Sequence, residues 1–212
     1  MNKPTDPASR PTKRQSQAQK TKRKLYEAGI RAINEQGFHA VTVEDITTAA
    51  HVAKGSFYTH FKSKEDLVFS TLAYSDEIYA QAYQQVQELS FLPMITQFVR
   101  LSYPEYEKRG KGIIRAMVSN YFTQNDQEYY GDDRVLLQCL RGIVDRGKQD
   151  GLLDERISTN EYAHVLLSTM IGVEILWCFD KQGRSLADMM EQAVRVTAPV
   201  FSECLPVKSS LC

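Results

Sequence analysis

Amine, hydroxyl and ring side chains crowd the segment 54–60, which reads Lys-Gly-Ser-Phe-Tyr-Thr-His. Lysine can donate to guanine O6 and N7, and serine and threonine can donate or accept at base edges. Tyrosine and histidine suit phosphates, which fix the register of a protein on a duplex without reporting its sequence. A glycine at position 55 lets a helix approach base edges closely. The candidate nucleic-acid contacts of this segment are Lys54, Gly55, Ser56, Tyr58, Thr59 and His60.

Two short predicted helices position these side chains. The first begins at Thr42, which stands three residues before Asp45 as in a capping box. After a break at His51 and Val52, a second helix is predicted over 53–61, where an i, i+4 pair, Phe57 and Phe61, would anchor one face to a core. A helix of this kind fits a major groove about 12 Å wide. An ordinary helical hairpin, with its tyrosine and histidine covering the core, has the same spacing.

The flanking sequence also has helical periodicity. From Gln17, apolar residues recur at intervals of three and four, and Gly37 would end that helix in a left-handed cap. Ser63 and Asp66 repeat the box spacing, so a fourth helix is predicted from Lys64 to about Leu89. The inner face of the first helix is Leu25, Ala28, Gly29, Ala32 and Ile33, and that of the second is Val43, Ile46, Ala49 and Ala50.

Beyond residue 90 no alternating strand pattern of useful length appears, so the predicted fold class is all-α with about nine helices. Ser158 and Glu161 form a third box ahead of the eighth helix. The later helices are predicted over 91–108, 113–123, 134–149, 158–180 and 186–204, with a polar turn over 125–131.

Charge divides the chain. Residues 1–64 hold 12 Lys+Arg and 5 Asp+Glu, a net +7, and residues 65–212 hold 14 and 21, a net −7. We therefore expect a disordered basic arm (1–16), a helix-turn-helix DNA-binding domain (17–64) and a larger helical domain (65–212), with only the first part meeting a polyanion. A basic segment that merely keeps the protein soluble is the simpler alternative.

The composition indicates a globular protein of the cytoplasm. No signal peptide opens the chain, and the longest apolar run, 165–179, is too short for a membrane span of about 20 residues. The cysteines Cys139, Cys178, Cys204 and Cys212 form no CxxC pair and are expected to be reduced thiols, with redox sensing as the less favoured alternative. HExxH, a P-loop and a dinucleotide turn are all missing from the sequence, and the four histidines have no metal spacing, so neither an enzyme, a metal site nor a cofactor is expected.

The segment 42–67, TVEDITTAAHVAKGSFYTHFKSKEDL, resembles the TetR family of bacterial transcriptional regulators. The resemblance covers roughly residues 18–72, and Lys54–Lys64 is its most specific part. It implies that Lys54, Gly55, Ser56 and Thr59 face base edges and that Tyr58 and His60 grip the DNA backbone. It also implies that Thr42 and Lys64 bind phosphates. The chain departs from the family pattern at His51, where glycine is usual, and at Ala53, where a serine cap is frequent.

The resemblance further implies a homodimeric repressor that binds a near-palindromic operator and is released by a small molecule, with the larger domain serving effector binding and dimerisation. The last two helices would form the dimer interface through Val165, Thr169, Val173, Leu186, Met190, Val194 and Thr197. Candidate contacts to an apolar or aromatic effector are Tyr103, Arg115, Tyr121, Phe122, His164, Glu174 and Trp177, although aromatic stripes are more often core than pocket. A helix-turn-helix dimer without an effector, architectural or regulated by a protein, is the alternative.

Overall fold

The computed structural model describes residues 12–121 and 131–203, and within those ranges all regular structure is helical. The nine helices of this part of the chain are α1 (Lys13–Gln36), α2 (Val43–Ala49), α3 (Lys54–His60), α4 (Lys64–Val86), α5 (Phe91–Glu107), α6 (Lys111–Tyr121), α7 (Val135–Gln149), α8 (Thr159–Phe179) and α9 (Leu186–Glu203). The predicted all-α class is confirmed.

The chain divides into two compact units, residues 1–68 and 69–212. In the first unit, α1, α2 and α3 pack against one another. The buried face of α1 consists of the five residues that its periodicity predicts, which are Leu25, Ala28, Gly29, Ala32 and Ile33. A Cβ at Gly29 would lie 2.8 Å from Cδ1 of Leu67, so the Leu67 side chain would have to shift to admit it.

Three local details of the first unit differ from expectation. Helix α1 begins at Lys13 rather than Gln17, because Thr12 and Gln15 form a capping box that extends it into the predicted arm. Gly37 has the expected positive φ of 87°, but its ψ of 152° lies outside the left-handed helical region.

The buried side of α2 also differs. Ile46 and Thr47 are buried, whereas Ala49 is exposed and Val43 half-buried. The hydroxyl of Thr47 donates to the carbonyl of Glu44 at 3.1 Å, which satisfies its polar atom inside the core.

The second unit is organised around α5 and α8. Helix α5 packs on α9 and α7, and α8 packs on α6, α7 and α9. Pro93 lies in the first turn of α5, where it costs little, and Pro104 lies inside the helix without ending it. The box of Ser158 and Glu161 caps α8 as predicted. Helix α4 ends at Val86, three residues before the predicted end.

Helix α8 is long and apolar enough by composition to cross a membrane, but half of its most apolar stretch is buried inside the protein. It is apolar around most of its circumference. A carboxylate, Glu174, lies in its buried side. These features identify α8 as the central helix of a packed domain.

Candidate nucleic-acid interface and interior cavity

Helix α2 is started by the predicted capping box. The amide of Asp45 donates to Oγ1 of Thr42 at 3.1 Å, and the amide of Thr42 donates to Oδ2 of Asp45 at 2.8 Å. The hydroxyl of Thr42 also donates to Oδ2 of Asp45 at 2.7 Å. These bonds lower the pKa of the Asp45 carboxyl, so it is ionised at neutral pH. The amide and the hydroxyl of Thr42 are therefore already used in hydrogen bonds at the start of α2.

The turn between α2 and α3 is a Schellman motif built without glycine. His51 has φ 55°, the left-handed region that the helix end requires. The amide of Val52 donates to the carbonyl of Thr47 at 3.0 Å, and that of His51 donates to Thr48 at 3.1 Å. His51 stands at the position where glycine is usual in the resembled family, and its backbone adopts the strained conformation that glycine would relieve.

Two phenylalanines hold α3 in place. Phe57 and Phe61 are buried, and their ring centroids lie 5.5 Å apart. Ala53 occupies the N-cap and provides no side-chain hydrogen bond, as its residue type predicts. The helix is thus positioned by its apolar face rather than by its cap.

The outer side of α3 carries the predicted polar residues. Lys54, Gly55, Tyr58 and Thr59 are exposed, and Ser56 and His60 are half-buried. A Cβ at Gly55 would meet nothing within 4 Å, so the surface there is open. The hydroxyl of Thr59 donates to the carbonyl of Gly55 at 3.1 Å, which leaves its oxygen free to accept. The structure brings these six residues together on one short helix.

Two of the predicted cations have partners that the sequence analysis missed. Nζ of Lys54 forms an exposed ion pair with Glu44 of α2. The hydrogen bond between them lowers the pKa of Glu44 and raises that of Lys54, so both are ionised at neutral pH. The available sequence signal was an acidic residue in the first turn of α2.

Lys64 is held by the loop between α1 and α2. Its Nζ donates to the carbonyl of Phe38 at 2.5 Å and to that of Val41 at 2.6 Å. The same atom lies 4.4 Å from the centroid of the Phe38 ring. In this conformation Lys64 fixes the loop that precedes α2.

In the second unit, an interior cavity lies among α4, α5, α7 and α8. Two of its lining residues, Glu174 and Tyr106, interact, because the hydroxyl of Tyr106 donates to Oε2 of the carboxylate at 3.2 Å. Tyr103 donates to Oε1 at 3.0 Å. The lining consists of Leu72, Ser75, Tyr79, Tyr106, Gly131, Arg134, Leu136, Leu137, Leu167, Met170, Ile171 and Glu174.

The space within the cavity that is open to a water-sized sphere is about 20 Å³. That is room for about one water molecule. The lining is apolar apart from a few polar groups, among them Ser75, Arg134 and Glu174.

Burial shifts the pKa values of the ionisable side chains at this cavity. It raises the pKa of Glu174 to about 7, against the opposing hydrogen bonds from Tyr103 and Tyr106 and the charge of Arg134. Burial also raises the pKa values of Tyr79 and Tyr103, so both phenols stay protonated.

The structure places the predicted effector contacts in several different environments. Glu174 lines the cavity. Tyr103 is not part of the lining, but its hydroxyl donates a hydrogen bond to the Glu174 carboxylate. Arg115 is exposed and donates to the carbonyl of Cys178, and His164 is also exposed. Because α8 is apolar on most sides, its sequence does not reveal which of its polar residues faces inward.

Trp177 is buried away from the cavity lining, with its indole N–H donating to the carbonyl of Arg184 at 3.0 Å. The side chain of Tyr121 and the whole of Phe122 lie outside the described residues. Tyr79 and Tyr106 form the aromatic part of the lining instead.

The predicted dimer face requires correction. Leu186, Met190 and Val194 have no exposed surface, because α9 packs on both α5 and α8 within the subunit. Val173 is buried as well. Residues already buried within one subunit have no surface to lose to a second. Of the remaining members, Val165 is exposed and Thr169 and Thr197 are half-buried.

A different set of apolar residues lies on the surface of the last two helices. Leu176 is 63% exposed, Phe179 74% and Val196 63%. With Val165, which is 49% exposed, they are the large apolar side chains that are exposed in the described parts of α8 and α9. We call this set the outer face.

In the described ranges, the two cysteines are unreactive and no group of side chains could hold a metal. Burial raises the pKa of Cys139 to about 12 and that of Cys178 to about 11, which makes both thiols poor nucleophiles. Within residues 12–121 and 131–203 there is no group of three or more His, Cys, Asp or Glu side chains that could hold a metal. Cys204 and Cys212 lie outside these ranges.

Comparison with known proteins places the first unit in a family. The sequence model of "Bacterial regulatory proteins, tetR family" matches residues 25–71. The HTH-type transcriptional repressor DhaR of Mycobacterium sp. (strain GP1) is 54% identical over 41 residues, which are 19% of this chain and 21% of DhaR. The first curated relatives are matched over only 18% to 28% of their own length.

Two further similarities extend over most of the chain. The HTH-type transcriptional regulator AcrR of Shigella flexneri is 24% identical over 209 residues, covering 91% of this chain and 94% of AcrR. The structure of FadR from Thermus thermophilus, a TetR family transcriptional repressor in complex with lauroyl-CoA, has a TM-score of 0.61 at 20% identity. It covers 82% of this chain and 92% of FadR and shows a shared fold. Residues 25–71 thus match the TetR family of bacterial regulatory proteins by sequence, and the fold of the chain is shared with a solved TetR family repressor.

Proposed function

We propose that this protein is a transcriptional repressor of the bacterial cytoplasm that binds a near-palindromic operator as a homodimer and is released by a small-molecule effector. The observation that carries the proposal is the outer side of α3, which offers Lys54, Ser56 and Thr59 to the solvent from a helix fixed by Phe57 and Phe61. A helix fixed by buried aromatics and exposed on its polar side can enter a major groove without distorting the core.

The exposed residues divide by chemistry. Lys54, Ser56 and Thr59 have the donors and acceptors that distinguish base pairs, and Gly55 allows close approach. Tyr58 and His60 contact phosphates. Thr42 and Lys64 bind phosphates only by exchanging hydrogen bonds that they now make within the domain.

Dimerisation uses the outer face of α8 and α9, in which Leu176, Phe179 and Val196 are exposed. Covering these side chains with their copies in a second subunit removes a large apolar area from water. A symmetric pair presents two copies of α3 to successive major grooves, about 34 Å apart. Effector binding would favour a dimer geometry with a different spacing, which is a population shift driven by differential affinity.

The effector site is the interior cavity of the second unit. Its apolar wall with a few polar groups suits a small organic molecule. The FadR structure from Thermus thermophilus, described as a complex with lauroyl-CoA, provides a precedent for ligand binding within this fold. The small volume of the cavity is the observation that favours the alternative, a DNA-binding dimer without an effector.

Selection of genomic fragments bound by the purified protein tests the proposal. We expect enrichment of a near-palindromic sequence. On that operator, Lys54→Ala should reduce the preference for the correct base at particular base pairs by about tenfold. Tyr58→Phe should lower the affinity for all operator variants by the same factor. Lys181→Ala, an exposed lysine of the second unit, is the matched control. If Lys54→Ala lowered the affinity for every operator variant equally, Lys54 would not contact a base.

The effector part is tested separately. Thermal unfolding is measured with a library of small organic molecules, because a ligand that binds only the folded state raises the unfolding temperature. A hit should also release the operator. A library without any stabilising molecule would favour the effector-free alternative while leaving DNA binding intact.

A further inference from the structure

The wall of the interior cavity contains a buried carboxylate with no cation beside it. Glu174 is 4% exposed, and both of its oxygens accept hydrogen bonds from neutral phenols. Within the described residues, no lysine, arginine or histidine forms an ion pair with it. A buried charge without a counter-ion is costly, and two neutral hydrogen bonds compensate for it only in part.

The nearby guanidinium groups are already committed. Arg134 lines the cavity but donates to both oxygens of Asp76, at 2.9 Å and 3.2 Å. Arg109 donates to the carbonyl of Thr71 at 2.6 Å. Arg134 therefore forms its ion pair with Asp76 and acts on Glu174 only through its charge at longer range.

Aromatic rings surround the same carboxylate. Tyr103 and Tyr106 have ring centroids 5.7 Å apart, and the centroid of Tyr79 lies 6.3 Å and 6.4 Å from theirs. The face of an aromatic ring attracts cations, and more strongly where water is excluded. Met170, one turn before Glu174 on α8, also lines the cavity, and its unbranched side chain adapts to different shapes.

We propose that the cavity binds an organic cation, an ammonium or amidinium group on an apolar or aromatic body, with Glu174 as its counter-ion and Tyr79 and Tyr106 as its aromatic wall. This inference rests on the proposed function, since it names the chemical class of the effector. The cation would supply the ion-pair partner that Glu174 lacks among the described lysines, arginines and histidines, while the apolar body would pack on the leucines and Met170. The ligand enlarges the cavity by displacing these side chains.

Proton release provides a specific readout. Burial raises the pKa of Glu174 to about 7, so near that pH the carboxyl is only partly ionised before binding. The groups that face it are the hydroxyls of Tyr103 and Tyr106 and, beyond ion-pair distance, Arg134; Tyr79 and Asp76 lie on the adjoining helix. A bound cation lowers the pKa and drives the proton off. A neutral ligand produces no such release.

Three probes of equal size and different charge test the assignment by calorimetry on the full chain. They are benzyltrimethylammonium, its uncharged carbon isostere neopentylbenzene, and the anion phenylmethanesulfonate. We expect the cation to bind about tenfold or more tightly than either of the others. In buffers of different ionisation enthalpy at pH 7, its binding should release about half a proton, since a group at its pKa is half ionised.

The variant Glu174→Gln keeps the size of the side chain and should abolish both the preference for the cation and the proton release. Glu191→Gln is the matched control, because Glu191 pairs with Arg100 on the surface of α9 and does not line the cavity. Tighter binding of the neutral or anionic probe, or no binding by any probe, overturns the inference. Operator binding without probes is measured in parallel, so a failure of the proposed function is recognised independently.

Discussion

The ion pair between Glu44 and Lys54 leads to a quantitative prediction for DNA binding. Both side chains are more than half exposed, and their mutual hydrogen bond lowers the pKa of Glu44 and raises that of Lys54. At neutral pH the pair therefore has no net charge. Replacing Glu44 with glutamine removes one negative charge from the surface that carries Lys54 and frees the ammonium group.

The size of the effect follows from counterion release. Each phosphate neutralised contributes about −0.9 to the slope of log K against log salt. The proposed dimer contains two pairs, so Glu44→Gln should steepen the slope by up to about 1.8. At 0.1 M salt this corresponds to an affinity gain of up to roughly 60-fold, if the electrostatic contribution vanishes near 1 M.

Fluorescence anisotropy with labelled operator, repeated between 50 and 300 mM salt (about the range in which the slope is linear), measures both quantities. The matched control is Glu105→Gln, which breaks a comparable exposed ion pair, with Lys108, in the second unit. It should leave the slope unchanged. A slope for Glu44→Gln equal to that of the wild type, with unchanged affinity, would refute a DNA-facing position for Lys54.

Three further predictions concern stability, assembly and pH. Ala53→Ser supplies the missing N-cap of α3 and should increase the free energy of unfolding by about 1 kcal/mol, as measured by hydrogen exchange of the α3 amides. Leu176→Glu places a charge in the outer face and should raise the dimer dissociation constant roughly 100-fold or more in sedimentation experiments. The raised pKa of Glu174 means that the folded state binds a proton more tightly than the unfolded state. Its contribution to stability is therefore present below the usual carboxyl pKa near 4.5 and is lost as the pH rises through about 7, and Glu174→Gln should remove this loss in urea titrations.

The controls for these experiments come from the same chain. Ala53→Gly should stabilise α3 less than serine, because glycine offers no acceptor; equal effects would show that the cap bond does not form. Leu89→Glu, at an exposed leucine in the turn after α4, should not change the dimer constant. If Leu176→Glu left that constant unchanged too, the outer face would not be the interface. Identical urea midpoints for wild type and Glu174→Gln from pH 4 to 8, about the window of the shift, would contradict the sign given for Glu174.

Local sequence determined the start of α2 and the exposed side of α3. The box of Thr42 and Asp45, the left-handed turn at His51 and the anchoring pair Phe57 and Phe61 all depend on residues within four positions of one another. Helical geometry fixes such relations once the helix is predicted. That is why the outer side of α3 could be assigned without coordinates.

Only tertiary packing decided where the other functional groups lie. Glu174 receives hydrogen bonds from residues 71 and 68 positions away, Lys54 pairs with a residue 10 positions away, and Lys64 reaches back 26 positions to Phe38. Helix α8 is apolar around most of its circumference, so its sequence could not distinguish the side that packs inward from the outer face. Periodicity determines which residues share a side of a helix, whereas the neighbouring helices determine which side is buried.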